Sequence, residues 1–477
     1  METIGAMMDI KAIIDKYKNR EISVEENTKN ILEKIKNDDT NAYITFDEED
    51  SLKRAKLLDE KLASGAELGS LFGIAVAVKD NISYKNMNMT CASKMLENFR
   101  PMFDAKVVEN LLAEDAIIIA KTNMDEFAMG GRGKTSYFGP VKNPVDKTRL
   151  TGGSSSGSAA AVAKEDVLIA LGTDTGGSVR CPASYCNILG YKPTYSMVSR
   201  NGVVSMANTL DQVSVFGKNV ADIRTIAQVI EGPDEHDMTV RLDDYKYEMD
   251  TYDFKGKKIA YIPSDDEMHM DIDSTVEKDY NSALDELKKL GADLSPINLK
   301  YSKYANPVYN VVMSSEVSSN MSRFDGIRFG YQSDKYTSVD ELFINSRSEG
   351  LGEEVQRRIA LGTMYLSADD NQRVYRQGLK LRTLIKQELE EVFKTYDLII
   401  TPTVTNLPPS LDDDYQDPLS DFKSDGFNVI VNLSGMCGLS VPVRKGISGS
   451  VQFIANANED SKLLNAGEEF LRRLNEN

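Results

Sequence analysis

L-F-G-I-A-V-A-V-K-D-N, residues Leu71–Asn81, is a nearly continuous apolar run that breaks abruptly into Lys79, Asp80 and Asn81. A run this short and this uniformly apolar suits a strand covered on both faces of a sheet. The sequence beyond it alternates: Ala105–Ala113 reads as helix, Ala116–Ala120 as strand, Ser158–Lys164 as helix and Val167–Leu171 as strand. That alternation predicts an α/β protein, a sheet flanked by helices.

Upstream, Ile31–Lys36 and Ser51–Leu62 place apolar residues on one helical stripe and read as a packed collar. Downstream, K-K-I-A-Y-I-P from Lys257 reads as another strand. It precedes an amphipathic helix with Val276, Tyr280, Ala283, Leu284, Leu287 and Leu290 on its apolar side, stopped by Gly291. A long helix around Gln372–Tyr396 feeds L-I-I-T-P-T, a buried strand closed by Pro402. A single large mixed β-sheet threaded through most of the chain accounts for these elements better than independent domains do. The expectation is one domain over 1–477: a helical collar at 1–65, a core carrying the chemistry at 66–220, and the rest of the sheet with substrate-binding elements at 221–477. No repeat or low-complexity linker interrupts it, and the acidic D-D-D-Y-Q-D of Asp412–Asp417 reads as a solvated loop.

The composition, 41% hydrophobic and 27% charged over 477 residues, is that of an ordinary globular protein. No apolar run approaches the roughly 18 residues of a membrane span, and the N-terminus lacks a basic region followed by an apolar stretch, so a cytoplasmic protein without membrane contact is expected. The four cysteines show no C-x-x-C spacing and read as reduced, packed thiols. A formal net charge of −18 disfavours direct wrapping of a phosphate backbone. Any RNA would be held by a partner.

Two glycine-flanked serine clusters stand out: L-T-G-G-S-S-S-G at Leu150–Gly157 and G-T-D-T-G-G-S-V at Gly172–Val179. A phosphate cradle would need a G-x-x-x-x-G-K-[S/T] motif, and G-R-G-K-T at Gly131–Thr135 matches only its end. The other reading is a serine nucleophile, Ser178, preceded by glycines whose N–H groups can converge on an oxyanion. Such a hydroxyl needs a base. The two histidines, His236 and His269, lie in polar acidic surroundings and read as surface residues, which disfavours a Ser-His-Asp triad. A lysine at the end of an apolar strand can be desolvated into a neutral amine, which makes Lys79 the best-placed candidate; spacing alone favours an ordinary strand-end lysine reaching water. Ser154 is placed to relay a proton between them, while Ser155, Ser156 and Ser158 suit the cap of a helix beginning near Ala159.

Together these residues resemble the amidase signature family, marked by a Ser-Ser-Lys catalytic set in which the middle serine precedes its peptide in cis. The resemblance runs through G-I-A-V-A-V-K-D, T-N-M-D-E-F-A-M-G, F-G-P-V-K-N-P, G-G-S-S-S-G-S-A-A-A-V-A and D-T-G-G-S-V-R-C-P-A. It makes Lys79 the base, Ser154 the bridging serine and Ser178 the nucleophile. Further stretches, Y-K-P-T-Y-S-M-V-S-R-N-G-V-V, T-L-D-Q-V, S-R-F-D-G-I-R-F-G and E-E-V-Q-R-R-I-A-L-G-T, resemble the branch of glutaminase subunits that serve tRNA-dependent amidation.

That resemblance implies glutamine as substrate, with Thr175, Gly176 and Gly177 lining the oxyanion hole. It implies Arg358 for the substrate carboxylate, Asp425 for its amine, and Tyr309, Met129 and Gly130 as further binding residues. From the residues alone, Arg358 reads as a helix ion pair with Glu354 and Asp425 as a turn residue. The resemblance further implies no metal or cofactor on this chain. ATP and magnesium would belong to a tRNA-binding, kinase-like partner subunit, joined by a small bridging subunit. The stretch M-G-G-R-G-K-T-S at Met129–Ser136 departs from that branch, with Arg132 and Lys134 where small polar and acidic residues are usual. A stand-alone amidase acting on a small amide, and a catalytically idle scaffold subunit, therefore stay open as alternatives.

Overall fold

The structure is a computed structural model that describes residues 9–263, 266, 268, 272–367, 369–413 and 425–476. Eleven strands lie in one sheet: β1 (Tyr43–Thr45), β2 (Ala75–Lys79), β3 (Ile117–Thr122), β4 (Ile169–Asp174), β5 (Leu189–Lys192), β6 (Gln212–Gly217), β7 (Lys258–Tyr261), β8 (Asp293–Pro296), β9 (Leu398–Pro402), β10 (Cys437–Pro442) and β11 (Ser450–Ala455). Their order across the sheet is β1-β3-β2-β4-β6-β5-β10-β11-β9-β7-β8. The trio β3-β2-β4 and the trio β9-β7-β8 are parallel, and the remaining pairings are antiparallel. The sheet is therefore mixed, as the alternation of elements predicts.

Alternate residues along a strand point to opposite faces, and here each face has its own core. On β9, Leu398 and Ile400 join one core and Ile399 the other; on β11, Val451, Phe453 and Ala455 join the first and Ile454 the second. The first core is covered by the N-terminal helices Ile10–Lys18 and Val24–Lys36, by Val220–Ile230 and by Asp460–Glu476. Over the second lies the helix Ala305–Met321, packed against Glu353–Ser367, Asp369–Val392 and Gly426–Ser434.

Two expectations shift. The strand read from the apolar run, β2, begins only at Ala75, because the N–H groups of Leu71 and Gly73 donate to Glu114 and Asp115 carbonyls in a turn and are not available to a ladder. The N-terminal collar is also not purely helical, since it supplies the edge strand β1. All four cysteines are buried and unpaired with one another. Among the described residues no helix is long and apolar enough to cross a membrane.

The topology gathers the chemistry at one place. Lys79 and Asp174 close the parallel neighbours β2 and β4, and the region beyond the carboxyl ends of parallel strands is where α/β sheets leave a crevice. The core beneath must stay tightly filled to hold that rim. Phe453 is fully buried, its ring 5.2 Å from that of Phe470 and 6.5 Å from that of Phe254. Phe453→Ala is expected to cost about 3–5 kcal/mol of stability. Chemical denaturation checks this, and a loss below about 1 kcal/mol would mean the ring is not packed as described.

Candidate active site

Lys79 is the last residue of a strand whose every position is buried, and its own exposure is 0%. It does not reach water. Its Nζ donates to Ser154 Oγ at 2.7 Å and to Thr173 Oγ1 at 2.9 Å, with the Thr173 carbonyl at 3.4 Å. Asn81 Nδ2 donates to the same Thr173 hydroxyl at 3.1 Å and so steadies it. Loss of hydration on burial lowers the Lys79 ammonium to about 7, against the opposing pull of Asp125, Asp174 and Asp211. A large fraction of the side chain is then an uncharged amine near neutral pH.

The two serine clusters lie side by side, with the Ser155 N–H donating to the Ser178 carbonyl at 3.1 Å. The peptide Gly153–Ser154 is cis. Ser154 thus follows its cis bond, where the expectation had it precede one. The helix starts at Ser156, and no serine hydroxyl caps it. The Ser155 hydroxyl turns instead to the Thr173 carbonyl at 3.2 Å, and that of Ser158 to the Leu171 carbonyl at 2.9 Å and to Thr122 Oγ1 at 2.6 Å. These hydroxyls fasten the helix to the strands, because fully buried side chains beside strand backbone find their partners there.

Ser178 stands between β4 and the helix Arg180–Tyr185, and it is the one residue of the segment 171–180 that is not fully buried. The corner is shaped by the ion pair of Asp174 and Arg180, both side chains 0% exposed, with Nη2–Oδ1 at 2.8 Å and Nε–Oδ2 at 3.0 Å. Asp174 also accepts the N–H of Gly177 at 2.9 Å and of Val179 at 3.2 Å, and Asn432 Nδ2 at 2.9 Å. Burial alone would raise this carboxyl, but the Arg180 charge and its hydrogen bonds hold it below the usual carboxylate range. Arg180 reaches on to the Asn428 carbonyl, Gln452 and Asn432, which ties the corner to the C-terminal part of the chain. The sequence reading singled out neither residue. The signal was there in D-T-G-G-S-V-R, an acid and a base flanking the serine six residues apart.

A small cavity of about 20 Å³ opens above Ser178. Gly176, Gly130, Tyr309, Arg358 and Asp425 line it with the serine. The ring of Tyr309 lies so close that a Cβ on Gly176 would come within 2.6 Å of it, which only glycine allows. Thr175 turns its hydroxyl to Asp211 Oδ1 at 2.7 Å, and burial pushes that carboxyl up to about 6. The Gly177 N–H is committed to Asp174, so Gly177 serves the turn by shaping it and does not offer its amide to the cavity. Met129 likewise departs from expectation: its side chain is wholly buried in the second core, and its neighbours Ala128, Gly130 and Gly131 line the cavity instead.

The ion pair read from spacing forms, and Arg358 also lines the cavity. Its Nε donates to Glu354 Oε1 at 2.6 Å while Nη2 donates to the Gly130 carbonyl at 3.2 Å, within the lining of the cavity. Burial opposes the Arg358 charge, but Glu354 and Tyr309 more than offset this and hold the guanidinium above its ordinary value. Asp425 precedes the helix Gly426–Ser434, where its carbonyl accepts the N–H of Asn428 and of Val429, both at 2.9 Å. His236 is exposed and lies outside the cavity lining, and His269 lies outside the described residues. Asp413 is not merely solvated: it accepts Arg132 Nη1 at 2.9 Å, and its carbonyl accepts Lys134 Nζ at 2.8 Å; 414–417 lie outside the described residues.

The sequence profile of the amidase family matches residues 26–464. The A subunit of glutamyl-tRNA(Gln) amidotransferase from Staphylococcus haemolyticus (strain JCSC1435) is 42% identical over 473 residues, spanning 98% of this chain and 97% of that protein. Its counterpart from Clostridium botulinum (strain Alaska E43 / Type E3) is 42% identical over 465 residues, spanning 96% and 94%. Among solved structures, the A subunit of glutamyl-tRNA(Gln) amidotransferase from Thermotoga maritima superposes with a TM-score of 0.78 at 33% identity, over 96% of this chain and 93% of that one. The native peptide amidase from Stenotrophomonas maltophilia shares the fold, with a TM-score of 0.81 at 24% identity over 98% and 97%. A buried lysine joined to a serine hydroxyl beside a second, accessible serine, together with a match across nearly the whole length, places this chain in the amidase signature family.

Proposed function

We propose that this chain is the glutaminase subunit of a tRNA-dependent amidotransferase, releasing ammonia from glutamine through a seryl ester. The observation that carries the reading is the 2.7 Å contact of Lys79 Nζ with Ser154 Oγ, sealed from water beneath a cavity that Ser178 enters. That separation serves donation in either direction, so the neutral amine can accept the proton that it donates when charged.

In the forward step Ser154 takes the Ser178 proton and passes its own to Lys79, while Ser178 Oγ bonds to the side-chain amide carbon. The oxyanion is met by backbone N–H groups of the Thr175–Ser178 turn, with that of Gly177 held back by Asp174. Collapse breaks the C–N bond, and the proton returns through Ser154 to the leaving nitrogen as ammonia departs. Water then attacks the ester by the same relay and frees glutamate. Arg358 offers the substrate carboxylate a planar, always charged partner, Asp425 faces its ammonium, and Tyr309 packs beside both. With a net charge of −18 the chain leaves tRNA, ATP and magnesium to a partner subunit, which receives the ammonia; a small bridging subunit completes the assembly.

Ammonia release from glutamine, measured for the chain alone and with candidate tRNA-binding partners, tests the proposal; silence in every combination would refute it. Ser178→Ala is expected to abolish turnover, and Lys79→Ala to lower kcat by a factor on the order of 10³ or more. A Lys79→Ala enzyme with near-normal kcat would remove lysine from the relay. Because the working form of Lys79 is the deprotonated one, kcat/KM should rise with pH through about 7 and level off above it. A profile flat from pH 5.5 to 8.5, roughly one and a half units either side, would contradict a neutral-amine base. Arg358→Ala should raise KM for glutamine by about 10- to 100-fold with a smaller effect on kcat, as expected for the loss of a charged hydrogen-bond partner. An unchanged KM would exclude the carboxylate role.

A further inference from the structure

Asp125 has no part in the relay, yet its carboxylate accepts five hydrogen bonds. Its side chain is fully buried. Oδ2 accepts the N–H of Gly131 and of Gly133, each at 3.1 Å, while Oδ1 accepts the N–H of Lys134 at 2.9 Å, the N–H of Thr135 at 3.0 Å and the Thr135 hydroxyl at 2.9 Å. Five donors on two oxygens wrap the loop 130–135 around one side chain. The fit leaves no room for adjustment, since a Cβ on Gly130 would lie 2.4 Å from Asp125 Cγ and one on Gly153 would lie 1.9 Å from Oδ2.

The same residue touches both halves of the site. Its backbone N–H donates to the Ser154 carbonyl at 3.1 Å, and the Gly153 N–H donates to the Gly131 carbonyl at 2.8 Å. The loop so held carries the Gly130 carbonyl that takes Arg358 Nη2. We infer that Asp125 is the positioning residue for substrate recognition: by gathering the 130–135 loop it sets the Gly130 carbonyl that aims Arg358, and locks this recognition side in register with the relay serine.

The inference rests on the glutaminase reading for its substrate, but the placement of the loop can be tested without turnover. Arg132 and Lys134 supply trypsin sites inside the loop. In the full chain, Asp125→Asn turns an amide N–H₂ toward two backbone donors, and Thr135→Val removes one hydroxyl while sparing the carboxylate, so it is the milder variant. Cleavage after Arg132 or Lys134, followed by mass spectrometry, is expected to accelerate about 10-fold or more in Asp125→Asn and less in Thr135→Val, as local opening becomes cheaper. Unchanged cleavage in both would overturn the inference whatever the enzyme hydrolyses.

With glutamine, and with partner subunits present if activity requires them, KM and the inhibition constant of glutamate should rise together by about 10- to 100-fold in Asp125→Asn, with kcat changed by less than about 5-fold. The charges of Asp125, Asp174 and Asp211 and the Cys91 thiol favour the charged form of Lys79. Removing the Asp125 charge withdraws support from the ammonium, so the acid limb of kcat/KM should move to lower pH. A fall in kcat with KM and the glutamate constant unmoved, or an acid limb that stays in place, would mean that Asp125 only stabilises the fold. Absence of glutaminase activity in the unsubstituted enzyme would instead refute the functional reading and leave the proteolysis to decide the loop.

Discussion

A lysine taken wholly out of water is the constraint around which this molecule is arranged. Desolvating an ammonium is costly unless it loses its proton or finds partners, and Lys79 is given hydroxyl and carbonyl oxygens but no direct carboxylate. That balance leaves the amine near the midpoint of its titration at neutral pH. It also dictates the surroundings. The strand must be apolar on both sides, the neighbouring hydroxyls must come from segments far away in sequence, and the loops above must pack closely enough to exclude solvent.

The burial of Lys79 is matched by buried polar clusters nearby that are fully paired. Asp174 with Arg180 shapes the turn bearing Ser178, and Asp125 shapes the loop opposite. Each carboxylate satisfies several backbone N–H groups at once, a compact way to hold irregular backbone inside a protein where water cannot serve those groups. Such pairs contribute little net stability compared with apolar packing, but breaking one strands a charge. Their value here lies in specifying one geometry.

Much of this was legible in the sequence because local pattern and physical role coincide there. The apolar run before Lys79 marks a strand with a desolvated end, and glycines before Ser178 mark a tight turn. The alternation of helix and strand pointed to the mixed sheet. What was not legible depends on contacts between distant segments. Nothing local shows that Arg180 meets Asn432 and Gln452, or that Asp125 serves a loop five to ten residues on. Ser155 and Ser158, expected to cap a helix, fasten it to strands instead, since capping and strand contact draw on the same hydroxyl chemistry and only the tertiary neighbourhood decides between them. Met129 was assigned to the cavity by family likeness, while its side chain lies in the second core. For Arg358, helical spacing shows the ion pair with Glu354 but not the second contact, because the Gly130 carbonyl that takes its Nη2 comes from a distant segment.

The order of strands has a consequence for biogenesis. β10 and β11, the last to leave the ribosome, occupy the middle of the sheet between β5 and β9. Until Ala455 has been synthesised, the N-terminal and C-terminal portions face each other across a gap two strands wide, each with an unpaired inner edge of the kind that invites intermolecular pairing. Arg180 waits for the same late residues, Asn432 and Gln452. The nascent polypeptide therefore stays vulnerable to aggregation until these two strands have emerged, and the hydrolytic centre matures only after both portions have been bridged.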